Sequence, residues 1–533
     1  MQQLNFYKDT DIYKLTFRMV AFTVLTIVLC RVSRGYIMPV FTLIGVYLAL
    51  ANKLGWALVF FVMMPFFVIL NPGILGARSS LFGISVRFGP LLIGLILAMR
   101  GASRQGRHKL PLIGIVPFIM AAIISSVDGW APSVSLIKLA NFCVFLFGIW
   151  FGTQNLQERP KDVLLLRSFF LALACLLVFG SIPTMAIPSV GYATSLQWYM
   201  GMGEGAEVIN EMFQQIKADS GVTLFCGITS HSQTLAPLLA LTVGWVLCDM
   251  LLLERRFRWL HLCIIVFALP LIYLTRSRLG LISVVAALYM GAFYAARKIQ
   301  LPASLRARLS QGIMVSGALL VVVVIVAQLT TGAMSRWIRK TNKEEDDRRS
   351  LGEAFTSSRM GLIEQSLYEF RRNPMFGSGF QVAEYTRDLV AASRGFILSA
   401  PIEKGLAPVM VLGETGILGE MCFIIFIVSF CGTCVRRKYV VTFSLFTVML
   451  VTNMGEATFF SPGGTGGILW MVGVVGGFTI DTYLLYHRQL EQQWVGMGFQ
   501  MTAPAFELVE DASGRRRLVE SRSMVRRYGM RRG

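Results

Sequence analysis

The chain has 533 residues, 55% of them hydrophobic and only 15% charged, with a net charge of +20 at pH 7. So large an apolar share, with the charges gathered in short clusters, excludes an ordinary soluble enzyme, a disordered chain and a disulfide-stapled secreted module. It fits a polytopic membrane protein, in which a basic balance reports topology before it hints at nucleic acid, and no nucleic-acid partner is expected.

In chain order, residues 1–14 are polar and mixed in charge, so no signal peptide is expected. Apolar runs of spanning length follow near 15–33, 36–51, 54–70, 83–99, 111–127, 134–152 and 163–185. More lie near 233–253, 259–275, 277–296, 311–330, 408–435, 439–455 and 465–486. They lack the alternation and shortness of barrel strands. The pattern predicts an all-α polytopic membrane protein of about fourteen transmembrane helices. Four regions are expected: N-terminal helices (1–190), a first outer loop (191–232), a core (233–486) with a second outer loop at 331–407, and a basic tail (487–533).

Charge sets the orientation. With the N-terminus in the cytoplasm, the basic clusters Arg100/Arg104/Arg107/Lys109, Arg159/Lys161, Arg255/Arg256/Arg258, Arg297/Lys298/Arg306/Arg308 and Arg436/Arg437/Lys438 all fall on the inner side. Both termini are then cytoplasmic, in the cytoplasmic (inner) membrane, and the tail is an arm for anionic lipid headgroups. In the long outer (periplasmic) loop, Met360, Ile363, Leu367 and Phe370 recur at helical spacing. They predict an amphipathic helix, with Ser357 or Ser358 as its cap and Asn373-Pro374 as its stop. The nine cysteines are scattered through apolar runs and read as small hydrophobic residues.

Basic residues expected on the outer side stand against the positive-inside bias. Arg276 and Arg278, in Thr-Arg-Ser-Arg between two spans, are the foremost pair; Arg87 and Lys138 lie at outer helix ends, and Arg336, Arg339, Arg359, Arg371 and Arg372 on the long loop. Arginine's planar fork suits phosphate oxygens, so the functional reading is a pocket for an anionic, phosphate-bearing ligand; the plain one is snorkelling or paired side chains. Glu403, Glu414, Glu420 and Glu456 are candidate bases or ion-pair partners. His231, in Thr-Ser-His-Ser-Gln-Thr, reads as a helix cap or a ligand contact. Gly463-Gly464-Thr465-Gly466-Gly467 reads as close helix packing. No nucleotide-binding loop, zinc motif or nucleophile elbow is present in the sequence.

Four stretches resemble the O-antigen ligase and polymerase superfamily. They are Ser357-Ser358-Arg359 with the following helix and Asn373-Pro374-Met375-Phe376-Gly377-Ser378-Gly379-Phe380; Glu403-Lys404-Gly405 through Leu412-Gly413-Glu414-Thr415-Gly416-Ile417-Leu418-Gly419; Thr275-Arg276-Ser277-Arg278; and Gly227-Ile228-Thr229-Ser230-His231. The resemblance covers about residues 225–430. It implies a metal-independent, cofactor-free glycosyltransferase that takes a glycan from an undecaprenyl-pyrophosphate-linked oligosaccharide on the outer face. The acceptor would be lipid A core or another lipid-linked glycan, and a polysaccharide chain-length regulator would be a partner alongside membrane lipids. It implies catalytic roles for Glu403, Arg276, Arg278 and Arg359, and substrate contacts for Arg87, Lys138, His231, Lys404, Glu414 and Glu456. In the ligases a histidine begins the helix after the long loop; here Gly405 stands there, beside Glu403 and Lys404, so either Glu403 takes the base role or no base is needed. The competing expectation is a transporter, either a lipid-linked-oligosaccharide flippase or an ion-coupled carrier. A carrier should show midplane charges and broken helices.

Overall fold

The computed structural model describes residues 12–75, 80–102, 110–154, 156–192, 224–252, 259–298, 351–383, 406–455, 457–496, 499–501, 505–510, 516–521 and 524–526. The N-terminal half carries α1 (Ile12–Val32), α2 (Met38–Leu50), α3 (Leu54–Ile69), α4 (Ser80–Ala102), α5 (Val116–Asp128, entered through a 3-10 turn), α6 (Pro132–Gly152) and α7 (Pro160–Phe179). After 193–223, outside the described residues, come α8 (Ser232–Leu252), α9 (Trp259–Leu274), α10 (Arg278–Lys298) and α11 (Leu351–Arg372). Next are α12 (Ala407–Arg437), α13 (Val440–Asn453), and α14 (Thr465–Trp470), which runs through a π-turn (Met471–Gly476) into α15 (Gly477–Gly496). Every predicted apolar run except 311–330, which lies outside the described residues, is occupied by helix. Seven helices among the described residues are long and apolar enough to cross a membrane, and six shorter apolar helices accompany them. Proline in the first turn starts α2, α5, α6, α7 and α12, where the missing N–H costs nothing.

The packing is that of a helical membrane protein. α8 and the helix begun by α14 are almost wholly buried, whereas α1 and α12 are largely exposed. The exposed faces are apolar at helical spacing: Leu81, Ile84, Phe88, Leu92, Leu95 and Met99 on α4, and Ile417, Met421, Ile424, Ile425 and Val428 on α12. A soluble bundle would place polar residues there.

Turns alternate between two ends of the bundle. At one end Leu70 bridges Thr229, the Asn71 amide donates to the Ile228 carbonyl (2.8 Å), and the Trp130 amide donates to the Ser378 carbonyl (2.9 Å). At the other, Arg159 Nη2 donates to Asn52 Oδ1 (3.1 Å) and Gly55 abuts Asp162. Inside the bundle, Arg167 (α7) pairs with Asp249 (α8) through Nε–Oδ1 (2.7 Å) and Nη2–Oδ2 (3.1 Å), and His261 Nε2 (α9) lies 3.0 Å from Asp249 Oδ2. All three are buried. Asp481 of α15 accepts the amides of Val441 (3.2 Å) and Thr442 (2.8 Å), so a neighbouring helix caps the start of α13.

One expectation is corrected. The amphipathic helix begins at Leu351, so Ser357 and Ser358 lie inside it and do not cap it. Leu351, Glu353 and Ala354 are good helix formers and prolong it backwards. Gly466 and Gly467 also let α14 fold against its own entry loop, since a Cβ on either would overlap the Thr458 or Pro462 carbonyl.

The C-terminal unit, Thr482–Gly533, is compact in itself. Beyond the helix it holds two antiparallel strand pairs, β1 (Phe499–Met501) with β4 (Met524–Arg526), and β2 (Ala505–Glu510) with β3 (Arg516–Ser521). The sequence reading of an all-α chain ending in an extended arm had no strands here.

Candidate functional site: a cationic cleft beside a broken helix

The site is built on the segment after α11. Pro374 stops that helix, and Asn373 Nδ2 donates to Asp128 Oδ2 (3.3 Å). The segment then enters a break in α12 at Gly416, whose φ of 64° and ψ of −168° suit only glycine. A broken helix frees carbonyls on one side and amides on the other. Here the Ser378 and Gly379 amides donate to the Gly413 and Glu414 carbonyls (3.0 and 2.9 Å). In return the Ile417 and Leu418 amides donate to the Pro374 and Met375 carbonyls (2.9 and 3.4 Å). Ser125 Oγ also donates to the Glu414 carbonyl. Gly377 (φ 74°) lies flat on the Glu414–Thr415 peptide, where a Cβ would overlap it. The motif is thus the missing strand of hydrogen bonds for an interrupted helix. Beneath it Ser378 Oγ donates to Glu369 Oε2 of α11 (3.0 Å), with Glu369 buried.

Past Gly379 the segment forms the cleft. Phe380 packs into an aromatic cluster with Phe118, Phe142 and Phe460, at centroid distances of 6.4, 5.9 and 5.4 Å. Ser135 Oγ donates to the Phe380 carbonyl (2.9 Å) and Lys138 Nζ to the Gln381 carbonyl (3.0 Å). Gln381 Nε2 donates to the Phe460 carbonyl (2.7 Å). The resulting small cleft, of about 10 Å³, is lined by Arg87, Pro90 and Leu91 of α4, Lys138 and Asn141 of α6, Gln381, Pro462 and Gly463. Among the described residues, its lining carries two basic side chains, Arg87 and Lys138. Lys138 is 3% exposed and Arg87 half-buried.

Arg276 is half-buried in a left-handed turn (φ 51°) between α9 and α10. Thr275 Oγ1 receives the Ser277 amide (3.3 Å) and Ser277 Oγ the Gly280 amide (3.2 Å), so Ser277 caps α10. Arg278 is the first residue of that helix. Leu279 meets Gly455, which brings this turn to the loop that leads to Pro462 and Gly463. His231 Nδ1 accepts the Gln233 amide (3.1 Å) and caps α8, and Thr234 Oγ1 lies 2.9 Å from Thr465 Oγ1. Glu414 is buried at the break. Arg359 is on α11. Glu403, Lys404 and Glu456 lie outside the described residues. The structure thus joins Arg87 to Lys138, and brings the Arg276 and His231 turns to the same end of the bundle.

Sequence reasoning missed Gln381 and Asn141, uncharged residues that carry no pattern. It also passed over Arg167, Asp249 and His261 inside apolar runs, although an ionisable residue within a span is itself a signal. Among the described residues no group of His, Cys, Asp and Glu is arranged to hold a metal ion.

No known family model matches the chain, and no curated protein is similar enough to match it. The fold is that of a helical membrane protein, with a cleft lined by Arg87 and Lys138 at one end of its bundle.

Proposed function

We propose that this protein transfers a glycan from an undecaprenyl-pyrophosphate-linked donor to an acceptor sugar, as an O-antigen or exopolysaccharide polymerase or ligase of the cytoplasmic membrane. The observation that carries the reading is the cleft lined by both Arg87 and Lys138, at the end of the bundle that also bears the Arg276 turn. In this reading the chain spans the membrane about fourteen times, both termini are cytoplasmic, and the cleft end faces the periplasm. The acceptor hydroxyl attacks the anomeric carbon in line, the bond from that carbon to the pyrophosphate oxygen breaks, and configuration inverts. Glu403 takes the hydroxyl proton. Arg276 and Arg278, with Arg359, stabilise the charge on the departing undecaprenyl pyrophosphate without a metal. His231, Lys404, Glu414 and Glu456 serve the sugars.

A second reading, an ion-coupled carrier or flippase, has two observations in its favour. α12 is a discontinuous helix with a buried glutamate at its break, and the Arg167–Asp249–His261 group sits within the helices, as carriers arrange such groups.

The test is purified protein in proteoliposomes with undecaprenyl-pyrophosphate oligosaccharide and EDTA, with and without lipid A core, read on a gel. A ladder without core identifies a polymerase, and a product only with core identifies a ligase. No product across several donors supports the carrier. Arg278→Ala is expected to lower transfer at limiting donor about a hundredfold. Wild-type activity in that variant removes the arginine from the pyrophosphate.

A further inference from the structure

Glu420 is the acid that α12 carries past its break, one turn beyond Gly416. From there to Arg436, where charge resumes, the helix rises about 24 Å. With Arg436 at the inner interface, Glu420 lies within a hydrocarbon core about 30 Å thick. Ile417 and Ile424, its neighbours on the helix surface, are exposed, whereas Phe423 faces the core. The Glu420 side chain is half-buried between them. Its Oε2 is buried with no hydrogen-bond partner. The elements packed against α12 are α5 with its 3-10 entry, α11, the 373–376 turn and α13. Their described charged or titratable side chains are Asp128, Glu364, Tyr368, Glu369, Arg371 and Arg372, and none bonds to Glu420 or pairs with it. A carboxylate so placed has neither water nor a counter-charge, a state that costs far more than giving up the charge. The neutral acid carries no net charge and leaves one O–H to satisfy.

We propose that Glu420 holds its proton at neutral pH and is a proton-binding site on the membrane-facing side of α12, open to a hydrophobic carbodiimide that arrives through the lipid. In that reaction the acid proton passes to a carbodiimide nitrogen and the carboxyl oxygen bonds to the central carbon, giving an O-acylisourea. The acyl group then moves to a nitrogen, its bond to that oxygen breaks, and the oxygen becomes the carbonyl of an N-acylurea. Every atom of both reactants is kept, so the modified peptide gains the mass of one whole reagent. The proposal is independent of both readings of the function.

The experiment uses the full chain in nanodiscs of zwitterionic lipid at pH 8, where an exposed carboxyl is ionised. Dicyclohexylcarbodiimide is added, and modified peptides are quantified by mass spectrometry after proteolysis. Glu420 is expected to react at least about tenfold faster than Asp128 and Glu364, which are exposed. A water-soluble carbodiimide should leave Glu420 unmodified, because it does not enter the hydrocarbon. Glu420→Gln imitates the neutral acid, so it should abolish the label at this position and keep the thermal midpoint of the wild type. No label on Glu420 in the wild type overturns the proposal, and so does equal labelling by the water-soluble reagent. A midpoint lowered in Glu420→Gln as far as in Glu420→Ala would mean that the negative charge itself is in use, and would overturn it too.

Discussion

Asp249→Ala is expected to be the most damaging single substitution in the described helices, with a loss of about 3–5 kcal/mol. The Asp249 carboxylate meets both Arg167 and His261, and each of the three is buried among α7, α8 and α9. Its removal takes the two-point carboxylate contact away from a buried guanidinium, where water is scarce and a charge is expensive to keep. The measurement is the unfolding midpoint of purified protein in detergent, with yield in membranes beside it. Asp249→Asn keeps the shape and loses the charge, so it should fall between wild type and Asp249→Ala. The triple variant Arg167→Leu, Asp249→Leu, His261→Phe removes the whole group and should recover most of the loss, because well-packed apolar residues replace buried ion pairs at little cost. A loss below about 1 kcal/mol in Asp249→Ala would falsify the view that this group holds the three helices in place.

Gly416→Ala is the second. Its backbone lies where residues with a Cβ are strongly strained, and the new carbon would overlap the Met375 carbonyl. Strain and overpacking together predict about 3 kcal/mol of destabilisation or more. The 373–383 segment would withdraw from the break, taking the carbonyl that receives Lys138 with it. Gly432 of the same helix is the control, since a Cβ there meets nothing within 4 Å. Gly432→Ala should be neutral or stabilise by up to about 1 kcal/mol. If the two alanines behave alike in thermal unfolding, the break is not an interlocked structure.

The helices were legible because apolar runs of spanning length are separated by charges, which fixes their ends to within a few residues. α12 shows where that reading stops. Its run over 408–435 is unbroken in hydropathy, and the interruption at Gly416 exists only because a segment 40 residues earlier supplies the hydrogen bonds. Nothing local to Gly416 distinguishes it from Gly432. The cleft was half legible: Arg87 and Lys138 stood out as cations at helix ends, but Gln381 owes its role to backbone conformation and to a carbonyl at Phe460. Arg167, Asp249 and His261 were each too few to disturb the run that contains them, and their meeting depends on how α7, α8 and α9 pack.

The borrowed hydrogen bonds also set an order of biogenesis. The 373–383 segment is synthesised before α12, so a partner for the broken turn is already waiting when that helix emerges. The remaining bonds run the other way along the chain. The amide of Gln381 and the first amides of α13 find their acceptors only in Phe460 and Asp481, which leave the ribosome later. Buried amides without acceptors are costly in hydrocarbon. α13 therefore cannot settle alone, and it enters together with the loop and helix that follow as one insertion unit, whose arrival closes the cleft.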